Sequence, residues 1–103
     1  MKLSIIIPCY NEEKTLKIII ERVLKFKDLE KEIIIVDDCS TDNSKFIIKD
    51  LADLYPEIRG IFLEKNFGKG SALKKGFEEV SGDIVLIQDA DLEYDPKDYS
   101  ALI

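Results

Sequence analysis

Two aspartates, Asp89 and Asp91, follow a run of apolar residues and are separated only by the small residue Ala90. Side chains two positions apart in an extended backbone point to the same side, so the two carboxylates can converge on one point. Like charges that close repel each other unless a cation or a shared proton relieves them. A hard divalent cation suits carboxylate oxygens. The pair therefore indicates a metal site, whereas the alternative is that both acids are solvated loop residues.

The elements that must position these acids follow from the pattern of apolar residues. Continuous apolar runs predict four strands, at residues 3–8, 33–36, 58–63 and 83–88. Apolar residues at helical spacing predict a helix after each of the first three strands. Asn11 is the expected N-cap of the first helix, which should end near residues 27–28, and Asp95 with Pro96 should open a last helix. The third helix should bury Leu73, Gly76, Phe77 and Val80.

Alternating strands and helices of this length predict a fold of the α/β class. The expected architecture is a parallel, doubly wound, Rossmann-like sheet with strand order 3-2-1-4. The carboxyl ends of strands one, two and four then border one crevice, which is where open α/β sheets bind ligands. The polar residues of the chain gather at those ends, at residues 8–12, 37–38 and 89–91.

The composition of the chain excludes several classes of function. The 103 residues suffice for one small domain, spanning residues 1–103. A net charge of −6 argues against binding nucleic acid or an anionic membrane surface. The absence of histidine excludes a Ser-His-Asp or Cys-His mechanism within the chain. Cys9 and Cys39 lack metal-ligand spacing, so free thiols in the cytoplasm are expected, with neither a signal peptide nor a membrane span.

Several α/β families are excluded because their motifs are missing. The chain contains no GxGxxG after strand one, no phosphate-binding GxxxxGK[ST] and no GxSxG. A phospho-acceptor receiver domain would require an acid pair after strand one and a lysine after a fifth strand. A nucleoside diphosphate bridged to the carboxylates by Mg²⁺ fits better. Asp38 could then accept hydrogen bonds from base or ribose, Tyr10 could stack on the base, and Lys69 could reach a phosphate.

Four segments together resemble the family 2 glycosyltransferases. They are PxYNE at residues 8–12, DDxSxD at 37–42, NxGKG at 66–70 and the DxD motif at 89–91. The DADLEYDP context is similar to the polyprenyl-phosphate, dolichol-phosphate mannose synthase-like branch. The resemblance covers nearly the whole chain and has all four motifs in the family's order.

The resemblance implies a GT-A fold, a nucleotide-sugar donor and a Mg²⁺ or Mn²⁺ ion held by Asp89 and Asp91. It implies that Ala90 joins these acids at the donor diphosphate and that Glu93 is a further ligand on the metal side. Carried over by motif, the residues expected to bind the nucleotide are Pro8, Tyr10, Glu12, Asp38 and Lys69.

Family catalytic domains are about twice as long as this chain. The chain is therefore expected to be the N-terminal, donor-binding half of an enzyme that uses an acceptor such as a polyprenyl phosphate. The catalytic base is expected in the missing half, and the full-length protein could associate with a membrane. An exposed strand-four edge would favour self-association into a homo-oligomer. The alternative is a non-catalytic nucleotide-binding or self-assembling module.

Overall fold

A computed structural model describes residues 1–25 and 30–90 of the chain. Its elements, in chain order, are β1 (Lys2–Cys9), α1 (Leu16–Leu24), β2 (Glu30–Asp37), α2 (Ser44–Leu54), β3 (Ile58–Phe62), α3 (Lys69–Glu79) and β4 (Ile84–Ile87). The four predicted strands and the three helices between them are confirmed. The helix expected at Asp95 and Pro96 lies outside the described residues.

The strands form one parallel sheet in the order β3-β2-β1-β4, as predicted. Ile6 at the centre of β1 lies opposite Ile34 of β2 and Ile87 of β4. The order reverses between β1 and β4, because β2 and β3 continue the sheet on one side and β4 returns to the other. The carboxyl ends of these two strands therefore flank the switch point, where open α/β sheets bind ligands.

Both faces of the sheet are covered, which explains why its strands are continuous apolar runs. On one face, alternate residues of β1 and β2 pack against the buried sides of α1 and α2 in a single core cluster. On the other face, Ile34 and Val36 pack against Ala72 of α3. This double winding confirms the predicted fold class.

Helix α3 packs on the sheet partly as predicted: Gly76 is buried and Val80 packs against the core, but Phe77 does not. Ala72 is fully buried, whereas Phe77 is 49% exposed. The cause is the close approach at Gly76, where an added Cβ would lie only 2.6 Å from Cγ2 of Ile6. Because Ala72 and Gly76 are four residues apart, they define the contact line. Phe77, about 100° further round the helix, turns away from the sheet.

The start of α1 also differs from the prediction. The helix begins at Leu16 with Thr15 at its N-cap and ends at Leu24, so Asn11 is not its cap. Residues 11–14 instead form part of the loop that leaves β1. This loop lies at the carboxyl edge of the sheet, where it becomes part of the site described below.

A buried carboxylate ties the strands together at the opposite edge of the sheet. Glu32 of β2 is 8% exposed and accepts hydrogen bonds from the Ser4 hydroxyl and from the backbone N–H and hydroxyl of Ser81. The Ser4 hydroxyl in turn accepts a hydrogen bond from the Gly82 N–H, at 2.8 Å. The network therefore joins β2 and β1 to the turn from which β4 starts.

Among the described residues, β4 pairs only with β1. Two of its four side chains are substantially exposed: Ile84 by 41% and Ile87 by 47%. In the described part of the chain, no helix has the length and apolar character needed to cross a membrane.

Candidate functional site

A cavity of about 270 Å³ opens at the carboxyl ends of the strands. Its walls come from the ends of β1, β2 and β4 and from the first turn of α3. The residues that line it are Pro8, Cys9, Tyr10, Glu12, Asp38, Lys69, Ala72, Asp89 and Ala90. Seven of the eight residues predicted to bind the nucleotide or metal thus lie around one space. Asp91, the eighth, falls outside the described residues, as does Glu93.

The wall from β1 depends on an unusual backbone at Asn11. This residue has φ = 53°, a left-handed conformation that asparagine tolerates better than most residues. Its side-chain oxygen accepts hydrogen bonds from the backbone N–H groups of Thr41 and Asp42, at 2.7 and 3.3 Å. Asn11 therefore clamps the β1 loop to the loop after β2, and leaves the neighbouring Tyr10 ring 43% exposed at the cavity.

Serine hydroxyls after β2 also join these two loops, by accepting hydrogen bonds from backbone N–H groups of the β1 loop. The N–H of Asn11 donates to the Ser40 hydroxyl at 2.9 Å, and the N–H of Glu12 donates to the Ser44 hydroxyl at 3.0 Å. Asp42 accepts from the N–H of Glu13 and from that of Ser44. Partial burial raises the pKa of Asp42, but hydrogen bonds led by those from Ser44 outweigh this and leave the pKa below its usual value.

Asp37, the last residue of β2, and Asp38, which follows it, have different hydrogen-bond partners. Asp37 is fully buried and accepts hydrogen bonds from the N–H and hydroxyl of Ser40, so it stabilises its own turn. Asp38 is 4% exposed and reaches the loop before α3. One of its oxygens accepts from the N–H of Phe67 and the other from the N–H of Gly68, both at 2.8 Å.

An ion pair joins the start of α3 to the segment after β4 at the cavity. The Lys69 ammonium lies 2.5 Å from a carboxylate oxygen of Asp89. The Lys69 side chain is 58% exposed and that of Asp89 is 23% exposed, so solvent and ligands can reach both groups. A cation and an anion facing one space suit a ligand that brings both negative charge and a metal.

Two contacts fix the segment that carries Asp89. The Thr15 hydroxyl, at the start of α1, donates to the carbonyl of Ala90 at 2.7 Å. The N–H of Gln88 donates to the carbonyl of Ile6 and continues the β1–β4 pairing by one residue. Thr15 was not predicted as a site residue, although its position at the start of the apolar helical pattern marks it as a capping residue.

The cavity also includes a thiol that sequence reasoning assigned no role. Both cysteines are free, and Cys9 is buried. Removal from water raises the pKa of the Cys9 thiol to about 12, and the nearby negative charge of Asp37 adds to the effect. A neutral, buried thiol is a packing group rather than a nucleophile.

The carboxylates at the cavity meet part of the needs of a divalent metal. Within residues 1–25 and 30–90, no group of three or more histidine, cysteine, aspartate or glutamate side chains is arranged to hold an ion. Asp89 supplies one carboxylate at the cavity. Magnesium is commonly held by one or two carboxylates together with substrate phosphates, so this donor fits a metal that arrives with a diphosphate.

The chain is similar in sequence to known proteins of one family. A family model described as glycosyl transferase family 2 matches residues 4–103. An undecaprenyl-phosphate 4-deoxy-4-formamido-L-arabinose transferase from Proteus mirabilis is 40% identical over 106 residues, which cover 99% of this chain and 32% of that protein. The chain therefore spans about a third of the length of the curated relatives it matches.

Solved structures share the same architecture. That of S. aureus TarS 1–349 in complex with UDP-GlcNAc has a TM-score of 0.80 and 32% identity, covering 88% of this chain and 27% of that one. The mannosyltransferase PcManGT from Pyrobaculum calidifontis, in complex with GDP-Man and Mn²⁺, has a TM-score of 0.79 and 26% identity, covering 86% and 27%. The four-stranded sheet thus corresponds to the GT-A fold of these glycosyltransferases.

Proposed function

The chain belongs to glycosyl transferase family 2, and on that premise we propose that it forms the part of a sugar-transferring enzyme that binds the nucleoside-diphosphate-sugar donor. The observation that carries the proposal is the convergence of three strand ends and the first turn of α3 on one cavity. Within it, a lysine and an aspartate face each other. Complexes of structural relatives with UDP-GlcNAc and with GDP-Man support a donor of this class.

The nucleoside occupies the side of the cavity formed by the ends of β1 and β2. There Pro8 and the exposed ring of Tyr10 offer apolar surface against which a base can stack. Glu12 and Asp38 supply acceptors for base or ribose donors. An ionised carboxylate has about four lone-pair sites, so the two amide hydrogen bonds that Asp38 accepts leave it capacity for a ligand.

The diphosphate occupies the other side, between Lys69 and the segment 89–91. Lys69 provides a positive charge for the phosphates. Asp89 and Asp91 would hold a Mg²⁺ or Mn²⁺ ion, and the Mn²⁺ complex of a structural relative supports a divalent metal. When bound, the metal would neutralise charge on the departing nucleoside diphosphate. Ala90 leaves room between the two acids, and its carbonyl is held by Thr15.

The acceptor in the full-length protein is proposed to be a polyprenyl phosphate, because the Proteus mirabilis relative carries undecaprenyl phosphate in its name. We assign no catalytic base within this chain. The free thiols agree with a cytoplasmic setting, which we propose for the chain. We also propose that the full-length protein associates with a membrane. The exposed side chains of Ile84 and Ile87 support self-association through the β4 edge.

The competing function is a nucleotide-binding or self-assembling module without catalysis. Binding is tested by calorimetric titration of the chain with UDP and with GDP, each with and without Mn²⁺. Transfer is tested by incubating the full-length protein with labelled UDP- or GDP-sugars and a polyprenyl phosphate. Binding with transfer supports the enzyme, and binding without transfer supports the module. Absence of binding for both nucleotides contradicts the proposed site.

A further inference from the structure

The carboxylate of Asp38 holds the loop that leads into α3. Its two oxygens accept the N–H groups of consecutive residues, Phe67 and Gly68, each at 2.8 Å. Because the carboxylate is almost fully buried, solvent does not compete effectively for these bonds. Two short hydrogen bonds donated by adjacent amides to one carboxylate fix both the position and the orientation of the loop.

Gly68 is the residue at which this loop turns into the helix. It is the N-cap of α3, has φ = 96° and carries no side chain to cap the helix itself. Asp38, which follows β2, therefore fixes the residue from which α3 starts. The next residue is Lys69, whose ammonium pairs with Asp89 across the cavity.

One short path thus links the end of β2 to the segment after β4: Asp38 holds Gly68, Gly68 is bonded to Lys69, and Lys69 reaches Asp89. We propose that Asp38 is a positioning residue for Lys69, in addition to the acceptor that it offers to the nucleoside. The inference rests on the proposed function for its ligand. Its structural part concerns the free chain and is tested independently.

The free chain is tested by amide hydrogen exchange of wild type and Asp38→Asn. Asparagine keeps the shape of aspartate but turns one acceptor into an N–H₂ donor that faces another N–H. Exchange of the Phe67 and Gly68 amides should become at least tenfold faster. Glu32→Gln is the matched control, since it disrupts a buried carboxylate at the opposite edge and should leave these two amides unchanged.

Unchanged exchange at Phe67 and Gly68 in folded Asp38→Asn would overturn the proposal. If that variant does not fold, Asp38→Glu takes its place. Glutamate retains the charge but displaces the carboxylate by one methylene, so the same two amides should lose protection, and unaltered protection there would again overturn the proposal.

The effect on ligand binding is tested by a double-mutant cycle of Asp38→Asn and Lys69→Met. Calorimetry measures the affinity of each variant for UDP or GDP in the presence of Mn²⁺. Positioning through Lys69 predicts that Lys69→Met weakens binding about 10- to 100-fold and that the double variant loses less affinity than the product of the two single losses. Uridine or guanosine, which lack phosphates, should lose less affinity through Asp38→Asn than UDP or GDP does, with the nucleosides followed by NMR shifts.

Two results would contradict positioning through Lys69 and leave Asp38 with a nucleoside contact only: multiplicative losses in the cycle, or an equal loss for the phosphate-free nucleoside. If wild type binds neither UDP nor GDP, the proposed function fails. Hydrogen exchange of the free chain then still decides whether Asp38 holds the loop.

Discussion

Lys69 and Asp89 face each other across the cavity, with the ammonium nitrogen 2.5 Å from a carboxylate oxygen. The two residues come from different elements: Lys69 is the first residue of α3 and Asp89 follows β4. Each charge suits one part of the proposed ligand: the lysine suits the diphosphate and the aspartate suits the metal. In the proposed complex, the lysine would turn to the phosphates and the aspartate to the metal.

Replacement of Lys69 by methionine is expected to weaken nucleoside-diphosphate binding about 10- to 100-fold. A hydrogen bond to a charged group is worth roughly 1.5–3 kcal/mol, and each 1.4 kcal/mol is about tenfold in affinity. The measurement is calorimetry with UDP and GDP in the presence of Mn²⁺. Lys65→Met, in the same loop but outside the residues that line the cavity, is the control and should bind like wild type. Equal affinity of wild type and Lys69→Met would remove Lys69 from the site.

Glu32→Gln is expected to destabilise the fold at neutral pH by about 1–3 kcal/mol, because the amide turns an N–H₂ group toward the donors of Ser4 and Ser81. Burial raises the pKa of Glu32, but hydrogen bonds from Ser4 and Ser81 and the charge of Lys2 outweigh it, so the net pKa lies below the usual 4.5. A depressed folded-state pKa stabilises the fold above the unfolded pKa. That contribution is lost as the pH falls through the folded pKa.

Urea unfolding of wild type and Glu32→Gln from pH 7 to pH 3 measures this dependence. The difference in unfolding free energy should narrow below about pH 4.5, the usual pKa of the group. Glu78→Gln on the exposed face of α3 is the control, since a surface pair such as Glu78 with Lys75 contributes little. A difference between wild type and Glu32→Gln that stays constant over the whole range would refute the role of the ionised carboxylate.

The two thiols should react at very different rates with an aromatic disulfide reagent at pH 8. Cys9 is 2% exposed and its pKa is raised to about 12, so it should react only when the chain unfolds. Cys39 is partly exposed and should react in the native state. The Cys39→Ser variant should lose the fast phase and keep the slow one. Two equally fast phases in wild type would show that Cys9 is accessible.

Self-association should depend on the β4 edge. Replacing Ile84 and Ile87 by lysine places charge on an exposed strand and should shift the chain toward monomer. Sedimentation equilibrium over a range of concentrations measures the shift. Phe46→Lys removes a 63% exposed apolar side chain on α2, away from this edge, and should have no effect. A wild-type chain that stays monomeric at high concentration would contradict the proposal.

Much of the fold could be predicted because the rules involved are local or topological. Continuous apolar runs separated by helical patterns determine a covered parallel sheet, and right-handed crossovers leave few strand orders. Once β1 lies between β2 and β4, the residues after all three strands must share a crevice. That is why Tyr10, Asp38 and Asp89, widely separated in sequence, could be placed together before any geometry was known.

The parts that sequence reasoning missed depend on distant partners. Asn11 is of a residue type that favours N-cap positions, but its side-chain oxygen accepts hydrogen bonds from amides about thirty residues away. Asp38 carries no sign in the sequence that Phe67 and Gly68 will occupy its oxygens. Phe77 matches the helical apolar pattern, yet close packing at Gly76 rotates it outward. These three side chains take positions that tertiary contacts determine and that the local sequence pattern does not.

The most direct test of the donor site is calorimetric titration of wild type and Asp91→Ala with UDP and GDP, with Mn²⁺ and with a chelator in its place. Wild type should bind one of the nucleotides, and the chelator should weaken that binding at least tenfold. In Asp91→Ala the metal should no longer strengthen binding, while Asp53→Ala on the exposed side of α2 should behave like wild type. Metal-dependent binding that persists unchanged in Asp91→Ala would contradict the proposed site.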